Sequence, residues 1–246
     1  MRHYKMKWHE LTEKTGYVSI GNAFVPGYFL TENELVLIDS GPIHSKRLME
    51  LLDERHWRVR AVIHTHVHID HVANDLLLLE KFPDILFYTS KDEADAIASP
   101  EDMMRSMGFD TAAHAKEAQA VYPEKLHIIG VDMKRPEIMI DGEIFELISL
   151  EGHSVGHVGV VTPDGICCLG DAIVSEDVLN VSKLPYMANV QKSLASSHVH
   201  MVLRKLPSKL VVIPFSFATF RLFRIRSLHF GETAGVIPLK CSQVKP

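Results

Sequence analysis

The stretch His64-Thr-His-Val-His-Ile-Asp-His71 puts four imidazoles and one carboxylate into eight residues. Imidazole nitrogen and carboxylate oxygen are the donors that zinc takes, and iron or manganese accept the same set. His66 and His68 are two residues apart, so on an extended segment their side chains point the same way. Asp70 and His71 follow where the chain turns into a helix, and approach that space from another side. The spacing fits two neighbouring metal ions, one on His66 and His68, the other on Asp70 and His71. His64 sits on the strand before the cluster and reads as a packed histidine or a partner behind the ligands. A metal held by neutral imidazoles stays a Lewis acid; it lowers the pKa of bound water from ~15.7 to about 7 and polarises a carbonyl or phosphoryl oxygen.

Such a cluster has to be carried by rigid elements. Upstream, Tyr17 to Ile20 and Phe24 to Leu30 are short β-rich stretches broken by Gly21, Pro26 and Gly27. Leu35 to Asp39 is an apolar strand that ends on Asp-Ser-Gly, a turn signal. Ser45 to Arg55 has helical spacing at Leu48, Leu51 and Leu52, and Arg60 to His64 is the strand that feeds the cluster. Val72 to Phe82 reads as a helix and Ile85 to Thr89 as a strand. Residues 91–123 are helix-prone and carry Met103, Met104 and Met107. They read either as a peripheral helical pair or as a cap over an apolar pocket, which flexible Met side chains suit. The strands Glu137 to Ile140, Glu143 to Leu150, Val158 to Thr162 and Ile166 to Leu169 follow; Asp-Gly and Pro-Asp-Gly turns mark the hairpins among them. A helix over Val190 to Leu206 and a last strand from Lys209 to Ile213 close the pattern. Strands and helices alternating in two halves predict an α/β fold with two sheets between helices, in one domain.

Composition agrees with a globular chain of 246 residues: 46% hydrophobic, 23% charged, long enough to bury one core without disulfides. The cysteines are Cys167, Cys168 and Cys241, an odd number with two adjacent, so no disulfide framework is legible. The polar N-terminus lacks the apolar core of a secretory signal, and no apolar run nears the ~20 residues of a membrane span. The expected setting is cytoplasmic, with no membrane partner. A formal charge of −5 gives no footprint for nucleic acid.

His66-Val-His-Ile-Asp-His71 resembles the H-x-H-x-D-H signature of the metallo-β-lactamase superfamily, and the chain is similar to its glyoxalase II-like metallo-hydrolases. Leu37-Ile-Asp-Ser-Gly41 resembles the family's early Asp-bearing strand end. Gly152-His-Ser-Val-Gly-His157 resembles its G-H-[ST]-x-G-H segment, and Leu169-Gly-Asp171 its strand-end bridging aspartate. The resemblance runs from about Tyr17 to Pro214. It implies an αββα sandwich of two mixed β-sheets flanked by helices. It also implies a first metal on His66, His68 and His153, a second on Asp70 and His71, and Asp171 bridging them. Asp39 is expected behind the ligands, holding the histidine loop, or in a purely structural turn. His157 is expected as a hydrogen-bond partner, a substrate contact or a packed histidine, and Tyr186 as a substrate-side residue.

The resemblance fails at the end. The family closes on a histidine turn after the last strand, whereas Pro214 is followed here by Phe215-Ser216 and an aromatic run. From Phe215 on, five Lys or Arg face one acid, a net +4 in a chain that totals −5. The expected organisation is a domain over 1–214, with 91–123 as a helical insertion, and a divergent basic tail over 215–246. The tail reads as a divergent or frameshift-like end that removes a ligand, as an arm that folds His229 back to the site, or as a basic, aromatic interaction arm. The expected function is hydrolysis of a small ester, thioester, lactone or related substrate with one or two zinc ions, the second held more weakly, or iron or manganese in their place. A mononuclear-iron oxidoreductase like the sulfur dioxygenases, or a degenerate member with weak or no activity, are the alternatives.

Overall fold

Leu35-Val-Leu-Ile38 shows how this chain builds its layers. Val36 and Ile38 face one way into a cluster with Ile138, Phe145, Leu147, Val160 and Ile166; Leu35 and Leu37 face the other way, onto Leu48, Leu51 and Leu52. A strand with both faces covered needs an uninterrupted apolar run, which is why this one lacks polar alternation. The computed structural model describes residues 6–20, 23–42, 46–99, 126–172, 187–197, 211–214 and 223–224.

In chain order these residues form β1 (Trp8–Glu10), β2 (Thr15–Ile20), β3 (Ala23–Phe29), β4 (Glu34–Ile38), α1 (Lys46–Arg55), β5 (Arg58–Ile63), α2 (Ile69–Val72), α3 (Asp75–Lys81), β6 (Leu86–Ser90), α4 (Lys91–Ile97), β7 (Ile128–Val131), β8 (Glu137–Ile140), β9 (Glu143–Ser149), β10 (Val158–Val161), β11 (Ile166–Gly170), α5 (Val190–Ser197), β12 (Val211–Pro214) and β13 (Phe223–Arg224). One sheet runs β1-β2-β3-β4-β5-β6-β7 and the other β13-β12-β11-β10-β9-β8. Both are mixed. In the first, β4, β5, β6 and β7 are parallel; in the second, β11 and β12 are. The larger core lies between the sheets, and a second cluster joins the first sheet's outer face to α1 and α3. This is the α/β sandwich the sequence predicts. Among the described residues no helix is long and apolar enough to cross a membrane.

Register fixes where chemistry can sit. Ile38 pairs with Ile63, and Ile63 with Tyr88, so β4, β5 and β6 end together at one edge. The segments leaving those ends carry Asp39, His64 to His71 and, on α4, Glu93. The opposing sheet brings the β9–β10 loop and the end of β11 to the same edge. Open α/β sheets place their sites at such carboxyl ends for this reason.

The helix after the histidine cluster and two short strands differ from the sequence reading. The helix expected over Val72 to Phe82 is two helices, α2 and α3, parted at Ala73 and Asn74. The buried Asn74 amide there donates to the carbonyls of Ser40, Gly41 and Pro42, so a tertiary contact takes the residues that propensity would have kept helical. Strand β1 lies in the polar N-terminus, where Trp8 packs edge-on against Phe29 and Trp57. Strand β7 adds to the outer edge of the first sheet. Strands of three and four residues are too short for periodicity to reveal. Met103, Met104, Met107, Ser182 to Tyr186 and His229 lie outside the described residues, as does the rest of the helix expected to Leu206.

Candidate metal centre

Asp39 begins the site. It follows β4 with φ +60°, a left-handed backbone that Asp tolerates better than most residues. That turn aims its carboxylate across the end of β5. Its oxygens accept the Thr65 N–H at 2.8 Å and the Thr65 hydroxyl at 2.9 Å, and lie 2.8 Å from His71 Nδ1. One carboxylate therefore holds both ends of the histidine loop. His64 stands behind it, with Nε2 3.0 Å from Asp75 Oδ2 and Nδ1 3.7 Å from Asp39 Oδ1. Asp39, His64, His71 and Asp75 are all buried, and buried charges persist only when they are paired.

The imidazoles converge on His66. Ring centroids of His66 lie 4.4 Å from His68, 3.9 Å from His71, 4.8 Å from His153 and 4.7 Å from His157. His153 Nε2 is 3.0 Å from His68 Nδ1. Two donor groups result, His66 with His68 and His153, and His66 with His71 and Asp171, the donor atoms of each within 4.8 Å of one another. Asp171 stands between them: Oδ1 is 3.7 Å from His71 Nε2 and Oδ2 is 3.6 Å from His153 Nε2. Asp70 lies outside both groups. Its carboxylate is 59% exposed at the rim, with Oδ2 4.0 Å from His71 Nε2. His157 is behind the cluster, where its Nε2 accepts the Asp171 N–H at 3.2 Å.

The β9–β10 loop explains the spacing Gly152-His-Ser-Val-Gly156. At Gly152 (φ +133°) a Cβ would meet the Ser193 backbone nitrogen at 2.1 Å; at Gly156 it would meet Ser90 Oγ at 2.5 Å. Both glycines let the backbone press against a helix start while His153 turns inward. Glu93, on α4, secures the loop from below. Its carboxylate accepts the Val67 N–H at 3.0 Å, the Ser154 hydroxyl at 2.6 Å and the Gly156 N–H at 2.7 Å. The sequence reading passed over Glu93. Its one signal, Ser90-x-x-Glu93, has the form of a capping box, and Ser90 Oγ does accept the Glu93 N–H. The carboxylate, however, reaches away from the helix start to the two histidine loops. Asp75 was also missed, since an acid in a helix's first turn is an ordinary feature.

Electrostatics suit a cation. Burial, then the neighbouring imidazoles, hold His66 well below the ordinary histidine value, and burial with His153 brings His68 to about 3, so both are neutral at pH ~7. Burial opposes the Asp171 charge, but His71 and His153 override it and bring the carboxyl to about 2. Burial and the same His153 lower His157 to about 3. His66 Nε2 and Asp171 Oδ1 are buried with no hydrogen-bond partner among the described residues. Buried polar atoms are ordinarily satisfied, and a metal ion between these nitrogen and oxygen donors would satisfy them. The residues fit the group.

His64 and His71 behave oppositely. Burial disfavours their charge, yet Asp75 and Asp39 raise His64 to about 9, and Asp39 with Asp171 raises His71 to about 10. Without metal, the folded chain keeps protons that the unfolded chain sheds above pH ~6.5. That stability is complete below pH ~6.5 and is lost as pH rises through about 9 and about 10. The urea midpoint of chelator-treated protein is therefore expected to fall between pH ~7 and ~10. A midpoint that holds or rises across that range would mean both histidines are neutral in the fold.

A sequence profile described as "Metallo-beta-lactamase superfamily" matches residues 18–208. Hydroxyacylglutathione hydrolase of Blochmanniella pennsylvanica is 24% identical over 144 residues, which are 58% of this chain and 44% of that protein. The chain thus spans less than half the length of that curated relative. The crystal structure of BLEG-1 B3 metallo-beta-lactamase superposes with a TM-score of 0.60 at 18% identity, over 87% of this chain and 92% of that one. The crystal structure of TTHA1623 in a di-iron-bound form superposes with a TM-score of 0.53 at 25% identity, over 82% of this chain and 92% of that one. With the profile covering most of its length, the chain belongs to the metallo-beta-lactamase superfamily.

Proposed function

We propose that the chain is a metal-dependent hydrolase of a small ester, thioester, lactone or related acyl substrate, with His66, His68, Asp70, His71, His153 and Asp171 as its metal ligands and zinc as its metal. The observation that carries this reading is the Asp171 carboxylate set between two imidazole groups, one oxygen toward each. A metal ion at these donors supplies Lewis acidity, which brings the pKa of water from ~15.7 to about 7 and polarises the acyl oxygen.

The chain's own residues do the rest. His66 and His68 are held neutral by burial, so their lone pairs are available without loss of a proton. Asp39 takes the Nδ1 side of His71, which leaves Nε2 directed to the Asp171 side. In this reading Asp70, exposed at the rim with Oδ2 4.0 Å from His71 Nε2, would accept a hydrogen bond from the attacking water and keep its lone pair toward the substrate. The thioester heads the substrate classes because hydroxyacylglutathione hydrolases are among the relatives.

The reading is tested by assaying ester, thioester, lactone, β-lactam and phosphodiester substrates before and after chelation. Turnover of an acyl substrate, lost on chelation and restored by zinc, is the expected result. No turnover of any class by zinc-loaded protein would overturn it. Asp70→Asn, which keeps size but not charge, is expected to lower turnover by ~10²-fold with an unchanged unfolding midpoint. Near-parental turnover would remove Asp70 from the reaction.

A second reading, iron in the same donors carrying oxidation, draws on the likeness to the di-iron-bound structure. Elemental analysis of the purified protein together with oxygen uptake separates the two.

A further inference from the structure

We propose that Glu93 is a positioning residue that sets the geometry of the metal centre by clamping its two histidine loops together. The inference rests on the metal-centre reading above and deepens it. Glu93 is 1% exposed, and none of its carboxylate hydrogen bonds goes to a ligand histidine. Its three hydrogen bonds instead go to the backbone and side chains beside them. Oε2 takes the N–H of Val67, the residue between His66 and His68. Oε1 takes the hydroxyl of Ser154, which follows His153, and the N–H of Gly156, which precedes His157. Those loops leave opposite sheets, β5 in one and β9 in the other. Glu93 ties them through a single side chain, and Ser90 Oγ adds a bond to the Gly156 carbonyl at 2.6 Å.

Position decides the function of this arrangement. His153 comes from the second sheet, while its partners His66 and His68 come from the first. The sheet register does not set the distance between them; the Val158 N–H donates to the Thr65 carbonyl at 2.9 Å, which ties the strand ends but not the histidine-bearing turns themselves. A carboxylate bonded to both loops does fix it. The cost of the arrangement argues the same way. Burial raises the Glu93 carboxyl above its usual range, against the pull of Ser154 and the two N–H groups. A capping role alone would have left the acid in water at the helix start.

The chemistry of the three donors makes a sharp variant. All three partners donate, so the position needs an acceptor on both oxygens. Glu93→Gln keeps the shape but turns an NH2 toward a donor: either toward the Val67 N–H or toward the Gly156 N–H, neither of which can reverse. One arm of the clamp must open. Outer partners of metal ligands govern affinity by ~10–100-fold, and that loss is expected here for zinc.

The test measures zinc affinity by competition with a chromophoric chelator, and the absorption spectrum of the Co2+-loaded protein, in the full chain at a temperature where each variant is folded. Four proteins are compared: parent, Glu93→Gln, Ser154→Ala and Leu52→Ala. Leu52 is buried under the first sheet on α1, away from the loops, so its variant loses stability without touching the clamp. The expected result is ~10–100-fold weaker zinc binding and a changed Co2+ spectrum in Glu93→Gln, a severalfold loss in Ser154→Ala, and parental affinity in Leu52→Ala. Parental affinity and spectrum in Glu93→Gln would overturn the proposal while leaving the metal centre intact. Equal weakening in Leu52→Ala would overturn it too, by showing that any loss of stability suffices. If Glu93→Gln does not fold, Ser154→Ala decides: a severalfold loss supports the clamp and an unchanged affinity overturns it. A parent chain that binds neither zinc nor Co2+ would overturn the metal-centre reading, and this inference with it.

Discussion

Asp171→Asn is expected to lower turnover of the acyl substrate by ~10²–10³-fold and to reduce the metal retained after dialysis. The substitution changes one atom and no volume, so the turn after Gly170 should form as before. What it removes is charge. Asp171 is ionised throughout the working pH range, since His71 and His153 hold its carboxyl at about 2 despite burial. Its two oxygens face two different imidazoles, 3.7 Å and 3.6 Å away. An amide offers one oxygen and one NH2 in their place. The NH2 must face either His71 or His153, where a donor stands in the place of an acceptor, and a neutral group cannot balance cations held between the two groups. Turnover at saturating zinc and metal content by elemental analysis are the measurements. Parental values of both would show that Asp171 neither bridges nor binds, and would return it to a turn residue.

Asp39→Ala is expected to destabilise the metal-free chain by about 3–5 kcal/mol, the cost of breaking a buried charged pair by removing one member. In a chain of this size each kcal/mol moves Tm by ~2–4 °C, so a drop of ~6–20 °C is expected. The loss has identifiable parts. The Thr65 N–H and hydroxyl lose their acceptor, the raised His71 loses the carboxylate that favours its charge, and His64 loses one of two. Alanine at φ +60° adds backbone strain of its own. Asp39→Asn separates the contributions, because asparagine tolerates the left-handed conformation and keeps one acceptor oxygen. It is expected to retain part of the lost stability. Urea unfolding of the three chelator-treated proteins is the measurement, and a loss under ~1 kcal/mol for Asp39→Ala would show that the histidine loop stands without this carboxylate.

The sequence by itself determined which side chains could meet at the site. His66, His68 and His71 are close in the chain, so an extended segment that turns into a helix is enough to bring them near one another. The stretches Leu35 to Asp39 and Arg60 to His64 are legible as buried strands, and the Asp-Gly turn at Asp141-Gly142 as a hairpin, because short-range patterns fix those states. His153 and Asp171 were reached through the resemblance of their motifs; no spacing in the chain relates them to His66. The tertiary structure decided that relation: the ends of β5 and β11 and the β9–β10 loop meet at one edge because two sheets pack face to face. It also decided the fate of residues whose local signals point elsewhere. Asn74 interrupts a helix because three carbonyls of another loop compete for its amide. Glu93 stands where a helix cap is expected, and becomes a clamp because Val67, Ser154 and Gly156 present three donors to it. A hydrogen bond between residues 26 or 63 positions apart leaves no periodic mark on the chain. Local pattern can therefore name the groups that do chemistry, while the partners that hold them at working distance exist only once the two sheets have closed.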